Sequence, residues 1–529
     1  MHSLDWTFPY LWPRKPVLAA NVVATTQPLA AQAGLRMLLQ GGNAVDAIIA
    51  TAITLTLVEP VSNGIGSDLF AVVWDGRRLH GLNASGPSPA RWTPDYFSGR
   101  YSMPERGWDS VTVPGCVAAW QLLSEKFGAL PFEHLFVPAL EYGRRGFLVS
   151  PTIARQWAKQ VPVLKAQPGF AKAFMPSGDA PAAGSIFRLP DHAASLELIA
   201  ATKGEAFYSG SLAEKLAAHS AIHGGVMTQS DLASYRPEWI TPLSIDYRGF
   251  TLHEMPPNGQ GLVALIALGI LQHFDLESYP ADSGDSIHLQ IEAVKLALAD
   301  ANRYVADPSY MEIEANAFLA RDYLQERARL IDLRRAQNFG HGSPSAGGTV
   351  YLTAADASGM MVSLIQSNYL GFGSGVVVDG TGISLQNRGA CFVLDPGHPN
   401  QVGPHKRPFT TIIPGFVTKD QKPVMSFGVM GGTMQAQGHV QLMVRIADYH
   451  QNPQAAADAP RFRVFTGLEV NIESGLGAST IEDLAKRGHK VTAMNDSYLD
   501  FGSAQLIWKL DDGYLAASDA RRDGQAVGY

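Results

Sequence analysis

The spacing of hydrophobic residues predicts a chain that mixes long helices with paired strands. In residues 286–304 the apolar side chains recur every three to four positions, which is the spacing of an amphipathic helix. Residues 350–354 and 360–367 are rich in apolar and β-branched side chains and flank a turn at 357–359, so they predict a β-hairpin. Helices mixed with hairpins indicate helices that cover sheets, and an α/β (α+β) fold is expected.

Local signals predict where some helices begin and break. Residues 21–60 indicate a strand followed by a helix, for which Thr25 or Thr26 is a suitable N-cap because its hydroxyl can accept a backbone N–H. The glycine pair at 41–42 is expected to interrupt this helix before it resumes. Ser286 is the predicted N-cap of the later amphipathic helix.

Composition and charge exclude several function classes. The 529 residues carry a net charge of −7 and are 46% hydrophobic, so neither nucleic acid nor an anionic membrane surface is an expected partner. Cys116 and Cys391 lie far apart without a CxxC pair, and the 15 histidines lack ligand spacing, so no metal or other cofactor is predicted. Residues 1–6 lack the pattern of a signal peptide, and residues 44–58 are too short to span a bilayer, so a cytoplasmic enzyme is expected.

The junction of Gly348 and Thr349 is the strongest candidate for chemistry. A polar, glycine-rich stretch at 338–348 ends in a predicted strand whose first residue is Thr349. Cleavage before Thr349 would place a free α-amine beside its hydroxyl, so that one residue supplies both nucleophile and base. Gly348 allows the strained backbone that such a cleavage requires. The alternative interpretation is a loop that ends at a strand, where threonine is common.

A second glycine pair, Gly431-Gly432, precedes a predicted helix. Two adjacent N–H groups without side chains can form an oxyanion hole, although an ordinary glycine turn would have the same sequence. The glycines at 371–375 match neither a dinucleotide fingerprint nor a P-loop, and the chain lacks the HExxH and GxSxG motifs. Thr349 therefore remains the leading candidate nucleophile.

Several segments together resemble the γ-glutamyltranspeptidase family of N-terminal-nucleophile hydrolases. They occur in the family's order and extend over nearly the whole chain: Gly41–Ala47, Val113–Gly115, Gly348-Thr349, Phe372–Gly375, Lys406–Pro408, Gly431-Gly432 and Ser518–Arg521. The resemblance implies a four-layer αββα sandwich. It also implies self-cleavage into a large subunit, residues 1–348, and a small subunit, residues 349–529, which form one structural unit as a heterodimer. Whether two such pairs associate further is left open.

The resemblance also assigns roles to individual residues. Thr349 matches the nucleophile, and Ser367 matches the hydroxyl residue that hydrogen-bonds it. Gly431-Gly432 matches the pair of oxyanion-hole glycines. Thr410-Thr411 replaces a pair of serines that contact the substrate carboxylate, and a hydroxyl is kept at each position.

The sequence departs from the family pattern where the amino-acid end of the substrate is bound. Asn83 stands about where the family has an arginine for the substrate carboxylate, and Tyr369 stands where it has an asparagine. Arg388 and Cys391 stand where acidic or amide side chains bind the α-ammonium of glutamate. An ammonium beside an unpaired guanidinium is unfavourable, whereas a guanidinium suits a carboxylate. The neighbouring Asn387 is included among the predicted substrate-binding residues.

These departures predict a small anionic amide substrate without an amino group near its amide. They resemble the family's branch of oxamate-hydrolysing and glutathione-hydrolase-like proteins, so the expected reaction is hydrolysis of oxamate to oxalate and ammonia. The first alternative is a γ-glutamyl hydrolase or transferase that acts on glutathione-type amides. The second is an uncleaved, non-catalytic binding protein. For Arg388 itself, the alternative is a structural ion pair with an acid such as Asp395.

Overall fold

The computed structural model describes residues 14–339, 348–495 and 500–529. The strands, numbered in chain order, are β1 (Val17–Ala19), β2 (Val22–Thr25), β3 (Asp68–Trp74), β4 (Leu79–Ala84), β5 (Phe147–Leu148), β6 (Ile186–Phe187), β7 (Glu238–Ile240), β8 (Leu243–Tyr247), β9 (Phe250–Glu254), β10 (Gly348–Ala355), β11 (Met361–Tyr369), β12 (Val377–Val378), β13 (Ile383–Ser384), β14 (Gly415–Lys419), β15 (Lys422–Met430), β16 (Phe462–Val464), β17 (Glu469–Glu473), β18 (Lys490–Met494), β19 (Ser503–Leu510), β20 (Gly513–Ser518) and β21 (Gln525–Gly528).

The α-helices are numbered in the same way. They are α1 (Pro28–Leu39), α2 (Ala44–Val58), α3 (Cys116–Phe127), α4 (Val137–Arg145), α5 (Pro151–Leu164), α6 (Phe170–Phe174), α7 (Pro190–Ala201), α8 (Glu205–Tyr208), α9 (Ser211–Ile222), α10 (Gln229–Ser234), α11 (Gly261–Leu271), α12 (Gly284–Tyr304), α13 (Arg321–Ala328), α14 (Met434–Ala447), α15 (Pro453–Asp458) and α16 (Ala478–Lys486). In the part of the chain that the structure describes, every helix is too short or too polar to cross a membrane.

Two seven-stranded sheets form the centre of the fold. The first has the strand order β1-β20-β19-β15-β14-β9-β8, and the second has the order β21-β2-β10-β11-β3-β4-β7. Neighbouring strands in both sheets run antiparallel. Buried side chains between the sheets include Phe70, Tyr351, Ile365, Phe416 and Ile507. The two sheets therefore share one apolar interface.

Helices cover the outer face of each sheet. The core on the second sheet includes α1, α2 and α3, and the core on the first includes α11, α12 and α14. The α2 helix is buried along its whole length because its side chains are apolar or threonine, apart from Asp46. This order of helix, sheet, sheet and helix confirms the predicted αββα sandwich.

Both sheets combine strands from before and after residue 349. In the second sheet, β10 and β11 lie between β2 and β3, and β21 completes one edge. Thr349 itself lies near the start of β10, in the interior of the sheet. A cut before Thr349 would therefore leave two chains that still share both sheets.

The helix starts differ from the predicted caps. Gln27, and not Thr25 or Thr26, caps α1, because Thr25 belongs to β2 and its hydroxyl donates to Tyr351 O at 3.2 Å. Ser283 caps α12, three residues before the predicted Ser286. Both errors arise because several polar residues lie close together at each helix start and sequence does not show which side chain accepts the N–H.

Candidate active site

Thr349 and Ser367 meet at an irregularity in the β10–β11 pair. Gly348 pairs with Tyr369 but Val350 pairs with Gln366, so Ser367 and Asn368 lie opposite Thr349 alone. Both hydroxyl residues are fully buried, and their oxygen atoms are 2.9 Å apart. Ser367 Oγ also accepts the backbone N–H of Tyr369 at 2.8 Å. The bulge thus aims two hydroxyl groups at each other at the start of the strand.

Thr349 faces the space between the sheets. Further along β10, Thr353 Oγ1 lies 2.7 Å from Ser426 Oγ on β15, and the ring of Tyr351 packs against Gly428. Thr353 and Tyr351 of β10 thus lie opposite Ser426 and Gly428 of β15. Because Thr349 is two residues before Tyr351, the same spacing places it opposite the end of β15, where Gly431 follows.

The glycine pair at the end of β15 forms a tight connection to α14. Gly431 and Gly432 have φ angles of 132° and 62°, which favour glycine, and α14 begins two residues later. Gln260 Nε2 donates to the carbonyl of Gly432 at 2.9 Å and to that of Thr411 at 2.5 Å. Gln260, which sequence reasoning missed, thus ties the glycine turn to the Thr410-Thr411 segment. The predicted role of Gly431 and Gly432 as an oxyanion hole stays a prediction.

Arg388 is fully buried in a single 3-10 turn, Arg388–Cys391. Its Nη1 donates to Thr411 Oγ1 at 3.1 Å, and its guanidinium lies 5.2 Å from the ring centre of Tyr369. Among the described residues, its Nε and Nη2 make no hydrogen bond of normal geometry, although the Cys391 thiol lies near it, and no carboxylate pairs with it. The alternative of an ion pair with Asp395 is therefore wrong, since Asp395 is exposed to solvent.

Asp68 is an acidic group beside Arg388 that sequence reasoning missed. It pairs in register with Ser367, so Thr349, Ser367 and Asp68 form one row across three adjacent strands. Burial raises the pKa of Asp68 to about 7, although the positive charge of Arg388 and the nearby N–H groups of Gly86 and Gly115 act to lower it. The available signal was an acid directly before the apolar run at 69–74.

The remaining predicted binding residues differ in their surroundings. Thr410 Oγ1 is buried and has no hydrogen-bond partner within the described residues, so it is available to a ligand. Asn387 accepts the N–H of Leu370 at 3.1 Å and donates to the carbonyl of Glu105 at 2.8 Å. Asn387 therefore holds the segment that carries Arg388, and its predicted contact with substrate stays a prediction. Asn83 is buried and donates to Asn258 Oδ1 at 3.0 Å.

A surface cavity of about 340 Å³ reaches the segment that carries Arg388. It is lined by apolar residues such as Val305, Val393 and Phe409, together with Cys391. Burial raises the pKa of the Cys391 thiol, although the charge of Arg388 acts to lower it. The cavity is large enough for a small molecule, and Cys391 in its lining lies three residues after Arg388.

Two groups of side chains in the described residues have the spacing of metal ligands, but neither includes Thr349. In the first, His288 Nδ1 and His489 Nε2 are 2.8 Å apart and Lys295 Nζ donates to Glu292 at 2.7 Å. These hydrogen bonds occupy the atoms that a metal would need. The second group, His219, His223 and Asp379, has two exposed members. The prediction that the protein uses no metal stays a prediction.

Two packed sheets with a buried threonine near the start of a central strand define a class of layered αββα hydrolases. The chain belongs to the γ-glutamyltranspeptidase family, because the sequence model of the family described as "Gamma-glutamyltranspeptidase" matches residues 30–529. This confirms the resemblance inferred from the sequence motifs.

Two relatives in sequence are named hydrolases, and one solved structure has a closely similar fold. The chain is 36% identical to the glutathione hydrolase-like YwrD proenzyme of Bacillus subtilis, over 96% of this chain and 98% of that protein. It is 34% identical to the oxamate amidohydrolase proenzyme of Klebsiella pneumoniae, over 95% and 97% of the two chains. The crystal structure of cephalosporin acylase from Bacillus halodurans has a TM-score of 0.93 and 46% identity over 99% of both chains. The protein is thus an enzyme, an amidohydrolase of this family.

Proposed function

We propose that the protein cleaves itself before Thr349 and then hydrolyses a small anionic amide, with oxamate as the substrate. The observation that carries the proposal is the buried guanidinium of Arg388, which has no carboxylate partner in the described part of the chain and lies 5.2 Å from the ring centre of Tyr369, two residues after Ser367. A cation left in this state favours an anionic ligand.

The self-cleavage uses the chemistry of Thr349 and Gly348. The Thr349 hydroxyl attacks the carbonyl carbon of Gly348, and the acyl group moves from nitrogen to oxygen. Water then hydrolyses the ester, which yields residues 1–348 and residues 349–529 with a new α-amine on Thr349. Two of the most similar relatives are named proenzymes, which supports such processing. The shared sheets would hold the two products together as a heterodimer.

The same hydroxyl then attacks the amide carbon of the substrate. The α-amine, whose ordinary pKa is about 7.7–8.0, takes the hydroxyl proton. The N–H groups of Gly431 and Gly432 stabilise the oxyanion. When the C–N bond breaks, the α-ammonium returns the proton to the nitrogen and ammonia leaves. Water hydrolyses the acyl-enzyme, which releases oxalate and restores the Thr349 hydroxyl.

Arg388 and the Thr410-Thr411 pair would bind the substrate carboxylate. Thr411 Oγ1 already lies 3.1 Å from Arg388 Nη1, so the hydroxyl pair and the cation meet at one place. Arg388 would thus supply, from a different segment, the cation that the family has about where this chain has Asn83. The buried ring of Tyr369 limits the space beside it. Oxamate, which is small, planar and anionic, fits these constraints.

A γ-glutamyl amide is the second candidate substrate, and Asp68 is the observation that favours it. An ammonium beside Arg388 is unfavourable without a carboxylate, and Asp68 supplies one. The α-carboxylate of such a substrate could bind Arg388 while its α-ammonium faces Asp68. The exclusion of amino groups, which followed from sequence alone, is therefore weaker in the folded protein.

Two measurements test the proposal. N-terminal sequencing of the mature protein should yield Thr-Val-Tyr-Leu, and a denaturing gel should show two bands. A single band after long incubation would support the non-catalytic alternative. Ammonia release from oxamate is then compared with turnover of γ-glutamyl-p-nitroanilide. Turnover of the γ-glutamyl compound without ammonia from oxamate would overturn the proposed substrate.

A further inference from the structure

Arg388 and Asp68 are buried groups of opposite charge that do not contact each other. Of the neighbouring charges, Arg388 attracts the Asp68 carboxylate most strongly, yet no nitrogen of Arg388 lies within 4.0 Å of a carboxylate oxygen of Asp68. Within the described residues, Nε and Nη2 of Arg388 and both carboxylate oxygens of Asp68 make no hydrogen bond of normal geometry, although the N–H groups of Gly86 and Gly115 lie near Asp68 and the Cys391 thiol lies near Arg388. Buried polar atoms are nearly always hydrogen-bonded, so four such atoms around one site indicate that a ligand completes them.

The row of side chains across the second sheet places Asp68 close to the reacting group. Asp68 pairs with Ser367, and Ser367 Oγ lies 2.9 Å from Thr349 Oγ1. Asp68 lies on the same face of β3 as Phe70, which packs between the sheets. With strands about 4.8 Å apart, Asp68 and Thr349 are separated by about two strand spacings. Because Thr349 and Asp68 both face the space between the sheets, a substrate attacked by Thr349 lies within two strand spacings of the Asp68 backbone.

The charge of the bound substrate decides whether Asp68 is protonated or ionised. A monoanionic amide neutralises Arg388, and Arg407 is already paired with Glu238 at 2.9 Å, so neither guanidinium then balances an ionised Asp68. Two buried carboxylates near one cation repel each other, and protonation of Asp68 removes this cost. A zwitterionic amide instead brings an ammonium, which an ionised Asp68 can bind.

We propose that Asp68 is a specificity-determining residue, which must be protonated when the site holds a monoanionic amide and ionised when it holds a zwitterionic one. This inference rests on the proposed function, in which Thr349 is the nucleophile and Arg388 binds the substrate carboxylate. The O–H of the protonated group would donate to the carboxylate of the anionic substrate.

The other groups that interact with Asp68 do not titrate in the same range. Its charged neighbours are Arg388 and Arg407, and its neutral ones are Cys116, Tyr208, Tyr235 and Cys391. Burial raises the pKa of each of these thiols and phenols, so they stay neutral near pH 7. The α-amine of a cleaved Thr349 does titrate nearby, and the experiment must cancel its effect.

The test compares Asp68→Asn with wild type, because asparagine keeps the shape and resembles a protonated carboxyl group. The kcat/KM for oxamate is measured by ammonia release at pH 6 and pH 9, and the ratio of variant to wild type cancels the amine of Thr349. With a pKa of about 7 for Asp68, this ratio should rise about 100-fold between the two pH values. The matched control is Asp458→Asn, since the pKa of Asp458 is also raised to about 7 by burial but its charged neighbours are Asp519, Arg521 and Arg461. Its ratio should not change with pH.

A constant ratio for Asp68→Asn would overturn the inference. If that variant does not fold or cleave, the wild type alone is measured. Its kcat/KM for oxamate divided by that for γ-glutamyl-p-nitroanilide should fall as pH rises, and a constant quotient would refute the role of Asp68.

If the wild type releases no ammonia from oxamate, the proposed function fails. Asp68 is then judged on the γ-glutamyl compound, for which the ratio of Asp68→Asn to wild type should fall about tenfold from pH 6 to pH 9.

Discussion

Two buried charge clusters of this enzyme differ in how completely their charges are paired. In the cluster of Arg461, Glu473, Asp519 and Arg521, Arg461 Nη2 lies 2.8 Å from Asp519 Oδ2, and Arg521 lies 3.1 Å from Asp519 and 2.5 Å from Glu473. Backbone groups complete it, since Ala504 N donates to Asp519 at 2.8 Å. In the site cluster of Asp68 and Arg388, neither charged group has a charged partner in contact within the described residues.

The difference in charge pairing shows in the pKa values of Asp68 and Asp519, which are both fully buried. Burial alone would raise the pKa of each, but Arg521 and Arg461 hold the pKa of Asp519 below its ordinary value, whereas that of Asp68 rises to about 7. A cluster whose charges are all satisfied is a structural feature. A cluster whose charges lack partners, near the proposed nucleophile, is a candidate binding site. The predictions below use substitutions that separate these two cases.

The largest expected effect follows from Thr349→Ala, which removes the nucleophile and leaves both charge clusters intact. We expect a single uncut chain and a loss of turnover of about 10⁴-fold or more, because both steps need the same hydroxyl. Gel electrophoresis and ammonia release measure these effects. Thr353→Ala is the matched control, since Thr353 lies on the same strand and face and hydrogen-bonds Ser426. Turnover by Thr349→Ala would remove Thr349 from the mechanism.

Arg521→Gln should mainly affect stability, because it leaves Glu473 and part of Asp519 buried without their cation. Removal of one partner from a buried ion pair costs about 3–5 kcal/mol. Thermal melting should show a large drop relative to wild type at pH 8. A variant that melts like wild type would show that the paired cluster contributes little to stability.

Arg388→Gln should mainly affect activity and have little effect on stability, the reverse of Arg521→Gln. We expect kcat/KM for oxamate to fall about 100-fold, mainly through KM, because the substrate carboxylate loses a charge-assisted partner. Self-cleavage should persist, and the melting temperature should change much less than in Arg521→Gln, because Arg388 has no ion pair to lose. Kinetic assays of the cleaved variant test this. A strong loss of stability with unchanged KM would make Arg388 a structural residue.

The sequence predicted the layers of the fold but not the pairing of charges. The periodicity of apolar residues indicated helices that cover sheets, and the family resemblance implied four layers. The same resemblance strengthened Thr349, Gly431 and Gly432 as candidate catalytic residues, and their roles stay predictions. Asp68 and Arg388 are 320 positions apart in sequence order, and only the antiparallel register of β3 with β11 brings Asp68 to the site. No local pattern shows which buried acid finds a cation and which does not.

The smallest expected effect is a pH-dependent change in stability that has opposite signs in the two clusters. The folded pKa of Asp68 lies above the ordinary value of 3.8, so ionised Asp68 destabilises the folded state increasingly as pH rises toward 7. Asp68→Asn should therefore raise the melting temperature more at pH 8 than at pH 5, by the equivalent of about 2.5 kcal/mol. The folded pKa of Asp519 lies below its ordinary value, so its ionised form stabilises the protein above pH 4 and that contribution is lost in acid. Asp519→Asn should lower the melting temperature, and the deficit should shrink as pH falls below 4. Melting curves of both variants from pH 3 to pH 8 test the contrast, and two shifts of the same sign would mean that Asp68 is as well satisfied as Asp519.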